Sequence, residues 1–477
     1  MSAGHRTTSR TPGLGLPLVV AVVAACVPSL VFPGDAPWVN DEPSFIGMAL
    51  DANARHALAT HGLPGTQGVR MGPGAIWIYQ AMLLITHDPV RLVLLRAALV
   101  SAATAGSLLW LARSLGLWGW FVPAVLISPY VWFYNRLLWD NSFFIPLGTT
   151  AMAAYAAFLA RPRRWPLVVC LACLLFMPLI HLMAAAMVVP LIAHLVVTQA
   201  RQLWRWKYAV AGVVVAGCVA ALPYAINLRP ANPVKIPAPV GVNGWWFPLL
   251  GGRVLSAAHL AYFVGPDYFG EAPWLVGCAT IVSLAGYVLV WAGIVLAAAW
   301  SLAVFRGAAA GPREHVAVVC LLVLLCQVLL DGAFRVFGHP HYYNATWIAY
   351  VTFAWFAADR IAGVKLARWA VAGYGAALAY AVLFLLTRIH ATGGTRDTHY
   401  GIAIGEQLSI TEEINRYPQN TTVGSDVPQV VLYPQAMEVL RKLAPAVVSK
   451  PARHLFIHYR SSDTKDAHLE LLELTPP

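Results

Sequence analysis

Charged residues are scarce in this chain, and their scarcity excludes most classes of protein. Asp, Glu, Lys and Arg make up 11% of the 477 residues, whereas hydrophobic residues make up 59% and the mean hydropathy is +0.64. A soluble globular domain carries about 25% charged residues to cover its surface. The composition therefore indicates an integral membrane protein.

Several signatures of soluble enzymes are also missing. The sequence contains no GxxxxGK[ST] loop and no GxGxxG between a strand and a helix, so no nucleotide-binding motif is present. Its seven cysteines all fall inside apolar runs, which predicts neither a disulfide framework nor a metal site, and Cys170 and Cys173 are interpreted as buried packing. The net charge of +11 does not indicate nucleic-acid binding, because the basic residues lie between apolar runs.

Long apolar runs dominate what is present. Each was compared with the roughly 20 residues needed to cross a bilayer as a helix. Eleven spans are predicted, which gives an all-α polytopic fold: Leu14–Phe32, Leu92–Ala112, Leu117–Tyr134, Ser142–Ala160, Leu167–Leu179, Met183–Val197, Tyr208–Ile226, Trp274–Phe305, Val316–Leu330, Asn344–Ala358 and Trp369–Leu386. The two short runs on either side of His181 are equally compatible with one kinked or re-entrant hairpin.

The basic residues predict how the spans are oriented. Short loops that face the cytoplasm carry an excess of Lys and Arg. That rule assigns to the cytoplasm the loops that hold Arg6, Arg10, Arg113, Arg161, Arg163, Arg164, Arg201, Arg205, Lys207, Arg306, Arg313, Arg360, Lys365 and Arg368. The N-terminus is then cytoplasmic and the C-terminus lies outside, and the Arg-rich composition with Ala, Val and Leu spans favours a bacterial inner membrane.

The C-terminal part differs in character from the rest. From about residue 390 the charge density rises, and alternating helix-like and strand-like segments follow one another to the end. We therefore predict two units: a membrane domain at 1–389 and a small extracytoplasmic α/β domain at 390–477.

The first outer loop, residues 34–90, contains the strongest candidates for chemistry. Asp41 and Glu42 follow the first span, and two segments with apolar residues at helical spacing come next, which predicts two amphipathic helices along the interface. The acidic pair is either a helix N-terminal cap or a catalytic pair. Arg70, just ahead of the second helix, is either a lipid-headgroup anchor or a ligand for phosphate.

Two further polar segments lie on the predicted outer side. One is the turn after the third span, which is either a simple polar hairpin or part of a site; its candidates are Asn135, Arg136, Trp139, Asp140 and Asn141. The other precedes a late span, where His and Tyr either anchor the interface or bind substrate; its candidates are His339, His341, Tyr342 and Tyr343.

Taken together, these features resemble the GT-C glycosyltransferases, in particular the aminoarabinose-transferase and protein mannosyltransferase type that uses polyprenyl-phosphate sugars. The shared pattern covers roughly residues 14–360: a first outer loop opening with Asp-Glu, a basic residue before a Gly-Pro-Gly helix, an Arg-x-x-Trp-Asp-Asn turn and a His-Tyr-Tyr run. The resemblance implies that Asp41 is the catalytic acid of the first loop, that Asp140 is a second outer-loop carboxylate and that Arg70 meets the donor phosphate.

The resemblance also implies the partners. The expected donor is a polyprenyl-phosphate sugar, and the expected acceptor is a lipid, a glycan or a protein at the outer face. The surrounding membrane lipids are also expected partners. Glu42 is included as a catalytic candidate, and the candidates for the donor phosphate are Arg70, Arg136, Arg253 and His259. No cofactor is required, and a divalent metal is compatible with such a site but not demanded, since Arg neutralises the same charge.

Two rival functions remain open. A transporter or flippase would be expected to place polar residues near the middle of the membrane and to interrupt its helices, whereas these spans are apolar to their centres. The composition does not distinguish the enzyme from a non-enzymatic subunit of an envelope-assembly complex.

Overall fold

A computed structural model describes residues 15–39, 41–65, 69–227, 273–334, 340–396, 400–429, 431–444 and 447–474. Within these ranges the chain is mostly helical. The helices, numbered in chain order, are α1 Leu16–Cys26, α2 Asp41–Ala54, α3 Gly74–Leu83, α4 Pro89–Leu115, α5 Phe121–Leu126, α6 Pro129–Arg136, α7 Phe144–Ala160, α8 Arg164–Ile180, α9 Ala185–Arg205, α10 Lys207–Ile226, α11 Pro273–Phe305, α12 Pro312–Phe334, α13 Trp347–Ile361, α14 Lys365–Thr392, α15 Ile404–Ile414 and α16 Pro434–Leu443.

The predicted fold class, a polytopic helical membrane protein with a small C-terminal α/β part, is confirmed. In the described part of the chain, seven helical segments are long and apolar enough to cross a membrane: Pro89–Leu115, Asn141–Ala160, Leu182–Arg205, Lys207–Ile226, Thr280–Phe305, Pro312–Ala333 and Lys365–Thr392. Shorter apolar helices, α1, α3 and α8, accompany them. The predicted total of eleven spans stays a prediction.

One predicted span has a different local structure. The run Leu117–Tyr134 forms two short helices, α5 and α6, instead of one continuous helix. Pro129 opens α6, and the Ser128 hydroxyl before it accepts a hydrogen bond from the Val131 amide at 3.3 Å. A proline and a capping serine at this position end one helix and begin another, because proline cannot donate the helical hydrogen bond.

The two helices predicted in the first outer loop are present as α2 and α3. They pack against each other, and Gln80 on α3 fixes the pair by donating to the Asn53 side chain at 2.9 Å and to the Ala57 carbonyl at 2.9 Å. Phe45 and Ile46 on α2 are fully buried in the same core. The start of α2, which carries Asp41, is thus held by packing along the whole helix.

The C-terminal part has the elements that its sequence predicts. Helices α15 and α16 accompany a three-stranded sheet of β1 Thr422–Ser425, β2 His454–Tyr459 and β3 Leu469–Leu474. The strand order is β1-β2-β3, with β1 parallel and β3 antiparallel to β2. Helix α14 continues without interruption through the predicted boundary at 389/390, and the division into two domains stays a prediction.

This C-terminal part is joined to the first outer loop by hydrogen bonds. The Trp38 indole donates to the Ala436 carbonyl on α16 at 3.2 Å, and Gln407 on α15 donates to the Trp38 carbonyl at 2.9 Å. The Ile404 amide also donates to the Ala36 carbonyl at 2.9 Å. Because Trp38 lies three residues before Asp41, these contacts fix the chain just ahead of α2.

Candidate active site

A cavity of about 480 Å³ collects most of the polar residues predicted for the outer side. Its walls come from six separate segments: the start of α2, the stretch before α3, the turn after α6, the turn between α8 and α9 with the start of α9, the end of α12, and the short segment before α13. The polar side chains that line it are Asp41, Arg70, Trp139, Asp140, Asn141, His181, Gln327, Asp331, His341 and Tyr342.

Asp41 lies at the first residue of α2 and faces Trp139. The Trp139 indole Nε1 donates a hydrogen bond to Oδ2 of Asp41 at 2.8 Å. Burial raises the pKa of the Asp41 carboxyl above its usual range, and the hydrogen bond from Trp139 opposes that rise. A carboxylate with a raised pKa, fixed in place by one donor, is suited to accept a proton.

Asp140 and Asn141 present unsatisfied oxygens. Oδ1 of Asp140 accepts from the Asn141 amide at 2.7 Å, whereas Oδ2 of Asp140 and Oδ1 of Asn141 are buried without a hydrogen-bond partner among the described residues. Burial, and then the nearby charge of Asp41, raise the pKa of Asp140 well above its usual range. Buried polar atoms in folded proteins normally form hydrogen bonds. Two buried oxygens without a partner at one cavity wall therefore indicate a place for a polar ligand.

Arg70 supplies positive charge to this acidic cavity. Its Nη1 lies 3.3 Å from each ring nitrogen of His61, and its backbone carbonyl accepts from the Tyr224 hydroxyl at 2.6 Å. In the described ranges no carboxylate is close enough to Arg70 to form an ion pair with it. The guanidinium is therefore available to an anion that enters the cavity.

Two polar residues of α12 line the cavity and were not among the sequence-predicted candidates. Gln327 and Asp331 lie one turn apart near the end of α12, and Nε2 of Gln327 donates to Oδ1 of Asp331 at 2.7 Å. The predicted span ended at Leu330 and so stopped one residue before the carboxylate. The available signal was an amide and an acid at helical spacing in an otherwise apolar run, which is costly in a membrane and marks functional positions.

Aromatic and imidazole rings form another wall of the cavity. The His341 ring lies 4.7 Å from the Trp139 ring and 4.2 Å from the Tyr342 ring, measured between centroids. His181 lines the same cavity, and its Nδ1 accepts from the Met183 amide at 3.1 Å. Burial lowers the pKa of His181, which keeps this imidazole neutral. Rings of this kind commonly bind the faces of sugars or lie against lipid chains.

Four predicted residues are not on the cavity wall. Glu42 is 5% exposed, and burial raises the pKa of this carboxyl well above its usual range. Asn135 donates from Nδ2 to the Ser101 hydroxyl at 2.9 Å, and Tyr343 is buried against Tyr350. The other three candidates, Arg253, His259 and His339, lie outside the described residues.

Arg136 is the fourth, and its assignment to the donor phosphate stays a prediction. The side chain is 2% exposed, and its guanidinium donates to the carbonyls of Val31 at 2.9 Å and Phe32 at 2.5 Å. These carbonyls belong to the chain that leads into the first outer loop. Arg136 therefore ties that loop to α6 through its two terminal nitrogens, while its Nε is buried without a hydrogen-bond partner among the described residues.

Arg96, absent from the sequence-predicted candidates, stabilises the turn that carries Asp140. This fully buried residue of α4 donates to the carbonyls of Tyr134 at 3.2 Å and Asn135 at 2.6 Å, and also to the Ser142 hydroxyl. A buried arginine that binds two backbone carbonyls before a turn and a hydroxyl after it fixes the shape of that turn. The signal in the sequence was one Arg within a long apolar run.

Comparisons with known proteins give a likeness of overall fold. No protein-family model matches the chain, and no curated protein matches it. Among solved structures, the chain is similar to ArnT from Cupriavidus metallidurans in the apo state, with 15% identity and a TM-score of 0.46. It is also similar to the same protein bound to undecaprenyl phosphate, with 14% identity and a TM-score of 0.45; each comparison covers 93% of both chains.

Proposed function

We propose that this chain is an integral membrane glycosyltransferase that transfers a sugar from a polyprenyl-phosphate donor to an acceptor. The observation that carries the proposal is one cavity in which an arginine without a carboxylate partner in the described chain, Arg70, faces carboxylates with raised pKa, Asp41 and Asp140. The cavity lies where several membrane helices end, so an amphiphilic donor can reach it from lipid.

The lining has the two kinds of surface that such a donor requires. An isoprenoid tail must stay in hydrocarbon while its phosphate and sugar reach a polar environment. Val69, Met71 and Leu330 contribute apolar surface, and Leu182, which also lines the cavity, is 52% exposed on the outside of the protein. Arg70 sits among these residues, at the depth expected for the phosphate, and its planar fork suits bidentate contact with phosphate oxygens.

The chemistry is a single displacement at the anomeric carbon. A hydroxyl or amine of the acceptor attacks that carbon and loses its proton to Asp41, which acts as general base. The bond between the anomeric carbon and the phosphate oxygen breaks, and polyprenyl phosphate leaves with the electron pair, its charge balanced by Arg70. This displacement inverts the anomeric configuration and serves a hexosyl or a pentosyl donor equally.

The remaining cavity residues are proposed to hold the sugar. Oδ2 of Asp140 and Oδ1 of Asn141 accept hydrogen bonds from its hydroxyl groups, while Trp139, His341 and Tyr342 contact its faces. The positive charge comes from Arg70, so a metal ion is not required. With the N-terminus in the cytoplasm, the cavity faces the outer side of what we propose is a bacterial inner membrane.

The proposal is tested with the purified full-length protein in lipid nanodiscs. A panel of polyprenyl-phosphate sugars is supplied with candidate acceptors, and free polyprenyl phosphate is measured by mass spectrometry. Acceptor-dependent release supports the enzyme. A transporter or flippase would instead move the donor across liposome membranes and leave its sugar attached, and an assembly subunit would do neither; either result with every donor in the panel contradicts the proposal.

A further inference from the structure

A second cavity of about 790 Å³ lies in a groove between α1, α5 and α14. Small residues leave the space: Ala21 and Ala25 on α1, Ala124 on α5, and Gly375 and Ala376 on α14. None of the carboxylates or histidines of the candidate active site lines it. We refer to this feature as the alanine groove.

The alanine groove opens at the membrane face opposite the candidate active site. Helix α14 begins at Lys365, which lines the groove, and its 28 residues correspond to about 42 Å, more than the roughly 30 Å of hydrocarbon in a bilayer. At its other end, His390 lies 3.1 Å from Asp35, six residues before Asp41. The basic end of α14 and Asp41 therefore lie near opposite ends of a helix long enough to cross a bilayer.

The length of the groove matches one leaflet. Along α14 it extends from Lys365 to Ala379, about 21 Å at 1.5 Å per residue. Half of the hydrocarbon core is about 15 Å, so the groove covers one leaflet together with its headgroup region. A phospholipid acyl chain of that leaflet has this reach.

The mouth of the groove is basic and aromatic. Lys365 and Arg368 line it, and no carboxylate in the described ranges pairs with either one. Arg368 donates from Nε to the Ala362 carbonyl at 2.6 Å, which fixes the side chain and leaves its terminal nitrogens available. Trp120 and Trp369, which are 47% and 69% exposed, flank this mouth as tryptophans do at headgroup depth.

We propose that the alanine groove binds an anionic phospholipid, with one acyl chain along the small residues and the headgroup phosphate on Lys365 and Arg368. The charge supports an anionic lipid over a zwitterionic one, because two cations line the mouth and the acid next to Trp118, Asp359, is ion-paired with Arg313 at 2.9 Å. The predicted orientation puts this mouth in the cytoplasmic leaflet, where anionic lipids attract basic residues.

Native mass spectrometry of the full-length protein in detergent tests this binding. Phosphatidylglycerol and phosphatidylcholine with identical acyl chains are titrated separately, and the bound fraction is measured. We expect roughly tenfold tighter binding of phosphatidylglycerol. The double variant Lys365→Ala/Arg368→Ala should lose that preference, and the matched control Arg161→Ala/Arg163→Ala, two exposed cations at the same membrane face, should keep it.

A second pair of variants tests the acyl-chain path. Ala376→Phe fills the groove and should reduce binding of both lipids, whereas Ala370→Phe, an exposed position of α14 outside the groove, should not. Equal binding of the two lipids by the parent protein would overturn the proposal. So would an unchanged preference in the Lys365/Arg368 variant, or a dimer that Ala376→Phe dissociates, since a second copy would then occupy the groove.

Discussion

The candidate active site and the alanine groove are both cavities beside the membrane, yet their side chains differ in kind. The first brings three carboxylates, Asp41, Asp140 and Asp331, together with Arg70. The second has Lys365 and Arg368 at its mouth and otherwise small or apolar side chains. Cations beside an apolar groove suit the binding of an amphiphile, whereas a buried cavity that also holds carboxylates with raised pKa has the groups that proton transfer needs.

The two cavities are also built from different parts of helices. The active-site cavity is lined by helix ends and the turns between them, such as the start of α2 and the turn Trp139–Asn141. Most residues that line the alanine groove lie within α1 and α14, and many of them are small. Helix ends expose polar backbone and tolerate polar side chains, so chemistry accumulates there, whereas small residues within helices create space for a chain.

The largest expected effect is that of Asp41→Asn. The amide keeps an oxygen that accepts the hydrogen bond from Trp139, so folding should be close to normal, but it cannot take the acceptor's proton. We expect the transfer rate to fall by about 10²- to 10⁴-fold. The measurement is the initial rate of polyprenyl phosphate release, with the melting temperature of each variant recorded alongside.

Glu42→Gln is the matched control for that variant. Glu42 is adjacent in sequence and also carries a carboxyl, but it is buried and does not line the cavity. Its substitution should leave most of the transfer rate. A larger loss for Glu42→Gln than for Asp41→Asn would assign the base to Glu42.

Arg70→Ala is expected to weaken donor binding. Removing a charge-assisted contact of about 1.5 to 3 kcal/mol corresponds to a loss of affinity of roughly 10- to 150-fold, and Arg70→Lys should recover part of it. Donor affinity is measured by titration with a non-transferable polyprenyl phosphate. Arg55→Ala, an exposed arginine of the same loop outside the cavity, is the control; equal affinities in all variants would make Arg70 a lipid anchor.

Arg136→Ala should affect stability more than binding. The substitution leaves the carbonyls of Val31 and Phe32 without their donor, and each buried unpaired group costs about 1 to 3 kcal/mol. Thermal unfolding in detergent should show a clear decrease for Arg136→Ala and little change for Arg70→Ala. Reduced donor affinity with parental stability would instead support the assignment of Arg136 to the donor phosphate.

The smallest expected effect is a change in the pH profile. General-base catalysis needs ionised Asp41, so the transfer rate should fall as the pH falls through the raised pKa of that carboxyl. The hydrogen bond from Trp139 lowers this pKa, and Trp139→Phe removes it. The acidic limb of the rate profile should therefore move to higher pH in Trp139→Phe; a limb at the parental position would show that Asp41 does not control it.

Much of the candidate site follows from the sequence because its residues lie where apolar runs end. Asp41, Arg70, Asp140 and His341 each flank such a run, and the structure brings these four side chains to one cavity. The shared position at helix ends was sufficient to predict one face of the membrane for all of them. Their catalytic and binding roles stay predictions.

Other residues could not be separated by sequence alone. Arg136 and Asp140 belong to the same polar turn, but Arg136 ends α6 and points at backbone carbonyls, whereas Asp140 follows the helix and faces the cavity. The direction of a side chain at a helix end depends on where the helix stops, and the break at Pro129 was not predicted. Asp331 was missed because its acid lies within the last turns of α12, where the hydropathy of its neighbours dominates.

The most direct test of the central claim is to locate the bound donor. A polyprenyl phosphate with a photoreactive group next to its phosphate is cross-linked to the purified protein, and the labelled peptides are identified by mass spectrometry. We predict labelling of the segments around Arg70 and Leu182–Ala186, suppressed by excess unlabelled polyprenyl phosphate. Labelling confined to the alanine groove, on α1 and α14, would contradict the assignment of the donor site to the acidic cavity.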